Sequence, residues 1–434
     1  MAGKLSDFAK KNGVKYFLIN FTDLKGVQRS KLVPTQAIDG MEKDGAGFAG
    51  FATHLVMSPA DPDMFAVPDP SSVLQLPWRP EVAWVAGDLY MAGKPVEQAP
   101  RWVLKRQLDA ATAQGFRMKT GVEAEYHLIS ADGTGLSDAR DTDPKPCYDQ
   151  SAVMRRYDVI SEICDAMLSL GWGPYQNDHE DANGQFEMNW EYDDALVTAD
   201  RHAFFKFMVK SIAENHGMRA TFMPKPFAHL TGNGCHCHIS IWDKAGKKNL
   251  FEDKKDELGL SATAYQFLAG VLAHAAGLAA LTNPTVNSYK RINAPVTASG
   301  ATWSPNTVTW AGNNRTHMVR VPDPGRFEFR LADGAANPYL MQAGFLAAGM
   351  IGIAEAKSAP KRLDIDMYAD GHKVKAKRLP LYLIDAVRAF QADKKLTGAL
   401  GGAFTQAYAA IKTAEWDSFS RTLTDWERET TLDC

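Results

Sequence analysis

Cysteine is scarce: five residues in 434 (Cys147, Cys164, Cys235, Cys237 and Cys434), scattered along the chain. That excludes a disulfide framework and fits a reducing, cytoplasmic setting. Charge of either sign is not in excess. With a net charge of −3 there is no basic face, and no nucleic-acid partner is expected. Long apolar runs are missing as well. The N-terminus MAGKLSDFAKKNG lacks a secretory core, and FLAGVLAHAAGLAAL and FLAAGMIGIAEA are too short to span a bilayer, so no membrane association is expected. A Walker-type loop (G-x-x-x-x-G-K-S/T) is absent, as is G-x-G-x-x-G between a strand and a helix. A nucleotide here must therefore be held by metal ions and arginines, as in phosphoryl transfer that works mainly by positioning.

What is present is an ordinary globular composition, 45% apolar and 23% charged, on a chain long enough for two domains. KYFLINFTDLKGVQRSKLVP reads as strand, turn, strand, with Lys25-Gly26 at the turn. SPADPDMFAVPDPSS reads as a loop, followed by strands around SSVLQLPW and VAWVAGDLY. Beyond GKPVEQAPR, short strands alternate with long amphipathic helices, among them SAVMRRYDVISEICDAMLSLG, TADRHAFFKFMVKSIAENHG and SATAYQFLAGVLAHAAGLAAL. The expected class is α+β: a small β-rich domain over residues 1–98, then a larger domain over 99–434 with an antiparallel sheet and helices to one side.

The chemistry sits on the strands. In GVEAEYH, Glu123 and Glu125 are two apart and project to one face; in GNGCHCHISIW, His236 and His238 do the same, leaving Cys235 and Cys237 on the other. A regular strand thus cannot wrap all four Cys and His side chains around one zinc. Glu180 and Glu187 in HEDANGQFE, and Glu328 in RFEFR, add carboxylates. Many acids with one or two histidines suit Mg²⁺ or Mn²⁺, and their convergence would itself imply a cation. Each fragment alone also reads plainly, as a solvated strand face, a loop charge or, for RFEFR, an exposed ladder of charges. Arg291, Arg315, Arg320, Arg326 and Arg330 stand ready for phosphate or are simply surface charge. From the residues alone the reading is a metal-dependent phosphoryl-transfer enzyme or hydrolase.

Taken in order, FTDLKGVQRSKLVP, TFMPKP with GNGCHCHIS, NPTVNSYKR and RFEFRLADGAANPYL resemble the glutamine synthetase family over nearly the whole chain. The resemblance implies a β-grasp N-terminal domain and a glutamine-synthetase-type catalytic domain. It implies two or three Mg²⁺ or Mn²⁺ per site, one on Glu125, Glu180 and Glu187, another on Glu123, His236 and Glu328. ATP would lie near His238 and Ser240, with Arg315, Arg320 and Arg326 around its phosphates; Gly232, Arg291 and Arg330 would hold L-glutamate. It further implies two stacked hexameric rings with active sites between subunits. Tyr368 lies roughly where some bacterial members are adenylylated, but the basic segment after it argues against that regulation.

Two departures bear on the amine. Where bacterial members have F-D-G-S-S, with an aspartate that helps bind ammonium, FAGFA has Ala49. The flap that should carry a glutamate, between Arg291 and Arg315, contains no Asp or Glu. An alkylammonium has fewer donors than ammonium and one apolar face, so lower polarity there favours it. Phe48, Phe51, Trp303 or Trp310 would supply an aromatic wall. The expected substrates are therefore L-glutamate, ATP and methylamine. The alternatives are ammonium, a longer alkylamine or polyamine, and a non-catalytic glutamate-binding regulator.

Overall fold

The computed structural model describes residues 3–434. Seven strands make a first sheet: β1 (Tyr16–Thr22), β2 (Gln28–Pro34), β3 (Ala46–Phe48), β4 (Met64–Pro68), β5 (Leu74–Gln75), β6 (Val82–Met91) and β7 (Lys94–Pro95). β1 and β2 form the expected hairpin, and Gly26 supplies its turn with a φ of 81°. β1 then pairs in parallel with β6, giving the order β2-β1-β6-β4-β3. One expectation fails here. The stretch SPADPDMFAVPDPSS is not all loop, because it contains β4, whose Met64, Ala66 and Pro68 alternate into the core. The alternation of apolar side chains outweighs the flanking prolines, which bound the strand rather than break it.

Ten further strands follow: β8 (Phe116–Ala124), β9 (Tyr126–Ser130), β10 (Pro174–His179), β11 (Gln185–Trp190), β12 (Asp193–Asp194), β13 (Met218–Thr221), β14 (Cys235–Asp243), β15 (Trp310–Ala311), β16 (Val319–Arg320) and β17 (Phe327–Phe329). They form not one sheet but two, of order β12-β8-β14-β17-β16-β15 and β10-β11-β9-β13. The chain crosses between them at Glu125, between β8 and β9; all pairs are antiparallel except β15 with β16. The far face of β14 meets the helical layer: Cys235 and Cys237 are buried there, and Cys235 Sγ lies 3.8 Å from His202 Nε2 on helix Ala195–Asn215.

Two long helical readings are each broken. Residues 261–281 form helices Ala262–Ala273 and Ala275–Thr282, bent by 77° at His274, whose ring pairs with Asp393 at 2.6 Å. Residues 151–171 divide at Arg156, whose guanidinium reaches Ser137. Neither break carries Gly or Pro, so apolar periodicity runs through both. Among the described residues no single helix is long and apolar enough to cross a membrane.

The first sheet is tied to the helical layer by a buried ion cluster. Arg101, on helix Pro100–Ala113, donates to Asp200 (3.0 Å), Asp88 (2.8 Å) and Asp69 (2.8 Å), and Tyr339 donates to Asp200 at 2.7 Å. Asp88 also takes Lys105 at 2.5 Å.

Candidate active site

Strand register assembles the site. Glu123 on β8 lies opposite His236 on β14, His238 opposite Glu328 on β17, and Asp178 on β10 opposite Glu187 on β11. The side chains converge into three overlapping groups: Glu123, Glu187 and His236; Glu123, His238 and Glu328; Asp178, Glu180 and Glu187. Within each, the ligand atoms all lie within 4.8 Å of one another. Glu123 and Glu187 each belong to two groups, so the site is continuous. Glu125 lies just beyond the end of β8, and its Oε1 stands 3.9 Å from His236 Nε2, on the far side of the ring from Glu123. Its Oε2 accepts from Gly234 N and Gln185 Nε2, both at 2.6 Å, so Glu125 borders the groups rather than joining one.

The electrostatics divide the acids into two kinds. Glu328 is 1% exposed and salt-bridged to Arg320 at 2.7 Å and to Arg330. Although burial opposes it, Arg330 first, then His236 and His238, hold its carboxyl down to about 2. RFEFR is therefore not an exposed ladder. Glu180 and Glu187 have no such partner. Burial first, then neighbouring carboxylates (Glu125 foremost for Glu180, Glu123 for Glu187), push both well above the usual range; burial likewise lifts Asp178 to about 6. Among the described residues the side-chain hydrogen bonds of Glu180 and Glu187 come only from Asn189 to Glu187 (2.9 Å) and from the Asp181 amide to Glu180 (3.3 Å). His236 Nε2 is buried with no hydrogen-bond partner among the described residues. Oxygen-rich, under-neutralised and with an orphan imidazole nitrogen, the cluster fits hard divalent cations.

His238 has a different part. Arg326 can only donate, so its contact with Nδ1 at 2.8 Å makes that nitrogen the acceptor. The proton then sits on Nε2 and is given to Glu123 at 2.9 Å. With Arg326 in place the ring orients Glu123 and has no lone pair left for a metal.

The glycines of GNG allow close approach. A Cβ at Gly232 would lie 2.1 Å from Pro224 O, and one at Gly234 would lie 2.8 Å from Glu125 Oε1 and 2.9 Å from an Arg291 nitrogen. Arg291, 2% exposed, donates to Leu331 O at 3.2 Å beside this strand. Arg330 gives Nε to Arg315 O at 3.1 Å, while the Arg315 side chain is exposed.

Next to Glu123 and His238 opens a cleft of about 290 Å³, whose lining includes Ser240, Arg326, Tyr175, Tyr192 and Trp242. Lys119 stands 4.2 Å over the Trp242 ring. Flat aromatic faces beside a cationic rim suit a purine and its phosphates. Tyr175, Tyr192, Trp242 and Asp178 went unrecognised in the sequence. Trp242 alone carried a signal, lying six residues past His236 on the same face of β14.

Other predicted residues stand apart. Ala49 is exposed beyond β3, an edge strand that pairs only with β4. Phe48 packs edge-on against Phe21 at 5.0 Å, and Phe51 is 60% exposed. Trp310 cannot wall an amine site: it is buried against Tyr265 and donates to Pro360 O at 2.7 Å. Trp303, on the acid-free loop, has a φ of 53°, and its indole nitrogen is buried without a hydrogen-bond partner among the described residues.

Linked acidic groups, an arginine rim and an aromatic cleft without a phosphate loop are the equipment of a metal-dependent enzyme that handles phosphate. Comparison with known proteins makes this specific. Residues 97–431 match the glutamine synthetase catalytic domain. A glutamine synthetase of Rhizobium leguminosarum bv. phaseoli is 66% identical over 99% of both chains. A glutamate–methylamine ligase of Methyloversatilis universalis is 43% identical over 97% of this chain and 96% of its own. Solved structures described as "GmaS/ADP complex-Conformation 1" and "Apo GmaS without ligand" share 64% and 62% identity, with TM-scores of 0.97 and 0.95 over 100% of both chains. The chain belongs to the glutamine synthetase family and is a ligase of that family.

Proposed function

We propose that this enzyme joins the γ-carboxylate of L-glutamate to methylamine with ATP, by way of γ-glutamyl phosphate, releasing ADP and phosphate. The observation that carries the amine choice is the loop between Arg291 and Arg315, which has no Asp or Glu, together with alanine at position 49. The relatives described as GmaS and as glutamate–methylamine ligase support it.

Asp178, Glu180 and Glu187, with Glu125 at their border, would hold one Mg²⁺ or Mn²⁺, and Glu123, His236 and Glu328 a second. What bound cations supply is neutralisation of charge on the transferring phosphoryl group. The protein's own part is positioning. Arg326 and Ser240 line the nucleotide cleft, Arg320 stands behind Glu328, and the exposed Arg315 would reach phosphate. Arg291, Arg330 and Gly232 would hold glutamate beside the GNG segment, where Gly232 and Gly234 leave no room for a Cβ. Exposure of Ala49 and Phe51 supports an assembly, two stacked hexameric rings, in which one subunit's small domain completes the next subunit's site. Five free cysteines suit work in the cytoplasm.

A second reading, ammonium as the amine, is favoured by relatives at 66% and 65% identity that bear the name glutamine synthetase. Phosphate release from ATP, glutamate and Mg²⁺ separates the two. Methylamine is expected to exceed ammonium in kcat/KM by about tenfold or more, the discrimination one methyl group in a fitted pocket supplies. Equal or better use of ammonium rejects the methylamine reading.

A further inference from the structure

A protonated amine approaching this site needs an acceptor, yet the nearby acids are engaged elsewhere. Glu123, Asp178, Glu180, Glu187 and Glu328 form the linked groups, and Glu125 is held by Gly234 and Gln185. One acid remains. Asp181, next in sequence to Glu180 and 8% exposed, uses a single oxygen for two hydroxyls: Oδ2 accepts from Thr231 at 2.6 Å and from Ser299 at 2.5 Å. Among the described residues its Oδ1 has no hydrogen-bond partner. Ser299 lies on the acid-free loop, and Thr297 of that loop approaches both Ser299 (3.0 Å) and Thr231 (3.4 Å). Thr231 in turn precedes Gly232, where glutamate is proposed to sit. One carboxylate therefore joins the metal loop, the glutamate strand and the flap.

We propose that Asp181 replaces the acids missing from position 49 and from the flap: it fastens loop 293–309 through Ser299 and offers Oδ1 to the cationic amine. The chemistry recognised is an alkylammonium or ammonium head, held by a charge-assisted hydrogen bond beside the glutamate γ-carboxylate. This rests on the ligase reading above but not on which amine is used.

The test compares Asp181→Asn with wild type, using the cationic amine the wild type prefers and, separately, hydroxylamine, which is uncharged at neutral pH. Asparagine keeps an acceptor for the two hydroxyls but loses the charge. KM for the cationic amine should rise about 10- to 100-fold, the loss expected when a charged hydrogen bond is removed. γ-Glutamyl hydroxamate synthesis, and KM for ATP and glutamate, should stay within about twofold. Asp181→Glu, which retains the charge, should recover most of the amine affinity. Ser299→Ala keeps the charge while releasing the loop, and should leave the ratio of amine to hydroxylamine activity near that of wild type. Equal losses with both nucleophiles, or an unchanged KM for the cationic amine, would overturn the proposal. A wild-type preference for ammonium would reverse the methylamine assignment and leave this inference intact.

Discussion

Glu187→Gln is expected to lower kcat by about a thousandfold while making the metal-free protein more stable. Glu187 belongs to two of the three acidic groups, so its loss disturbs both cation positions. Without cations it is a liability, since burial and neighbouring carboxylates push its carboxyl well above the ordinary range. Glutamine keeps the shape and can still pair with Asn189, but removes that charge. Thermal scans with and without Mg²⁺ check this: the variant should melt above wild type in chelator and gain less on adding metal.

Glu180, Glu187 and Asp178 have folded values raised above their unfolded ones, so between those values the folded state binds more protons. Their stabilising contribution is complete below the unfolded values and is lost as pH rises through the folded ones, near about 6 for Asp178 and well above the ordinary carboxylate range for the glutamates. Glu328 acts oppositely; its contribution is present above about 4.5 and is lost as pH falls toward about 2. Metal-free protein should therefore lose stability on going from mildly acidic to neutral pH, and Mg²⁺ should flatten that slope.

Arg101→Met is expected to cost about 3–5 kcal/mol, the usual penalty for removing one partner from a buried ionic cluster. Asp69, Asp88 and Asp200 would keep their charges with only Lys105 to offset them. For a chain of this length that corresponds to a fall in Tm of about 3–5 °C. The residues that tie the first sheet to the helices would give way while the acidic cluster stays intact, so Mg²⁺ should still stabilise the variant. An unchanged Tm would show that the cluster is not what joins these layers.

How far the sequence foretold this site depends on which residues share a strand. Glu123 was legible against His236 and His238, because a period of two fixes the face of a side chain without knowledge of the fold. Asp178 was not, since only the β10–β11 register sets it opposite Glu187; by sequence it is a loop charge beside a histidine. Glu125 was expected to project from the strand beside Glu123, yet the chain leaves the sheet at that residue, and its carboxylate turns to Gly234. Trp310 looked suited to an amine wall because aromatic residues read alike whether they line a site or fill a core. Asp181 became visible only when the loop that carries Ser299 folded over it. The bend at His274 was hidden because no glycine or proline marks it.

The central claim is that acids far apart in the chain meet around two divalent cations. Calorimetric titration of metal-free protein with Mn²⁺, compared with Glu123→Gln, tests it most directly. Wild type should bind at least two ions per chain, and the variant should lose or severely weaken one. Absence of Mn²⁺ uptake, or identical titrations for the two proteins, would contradict the account.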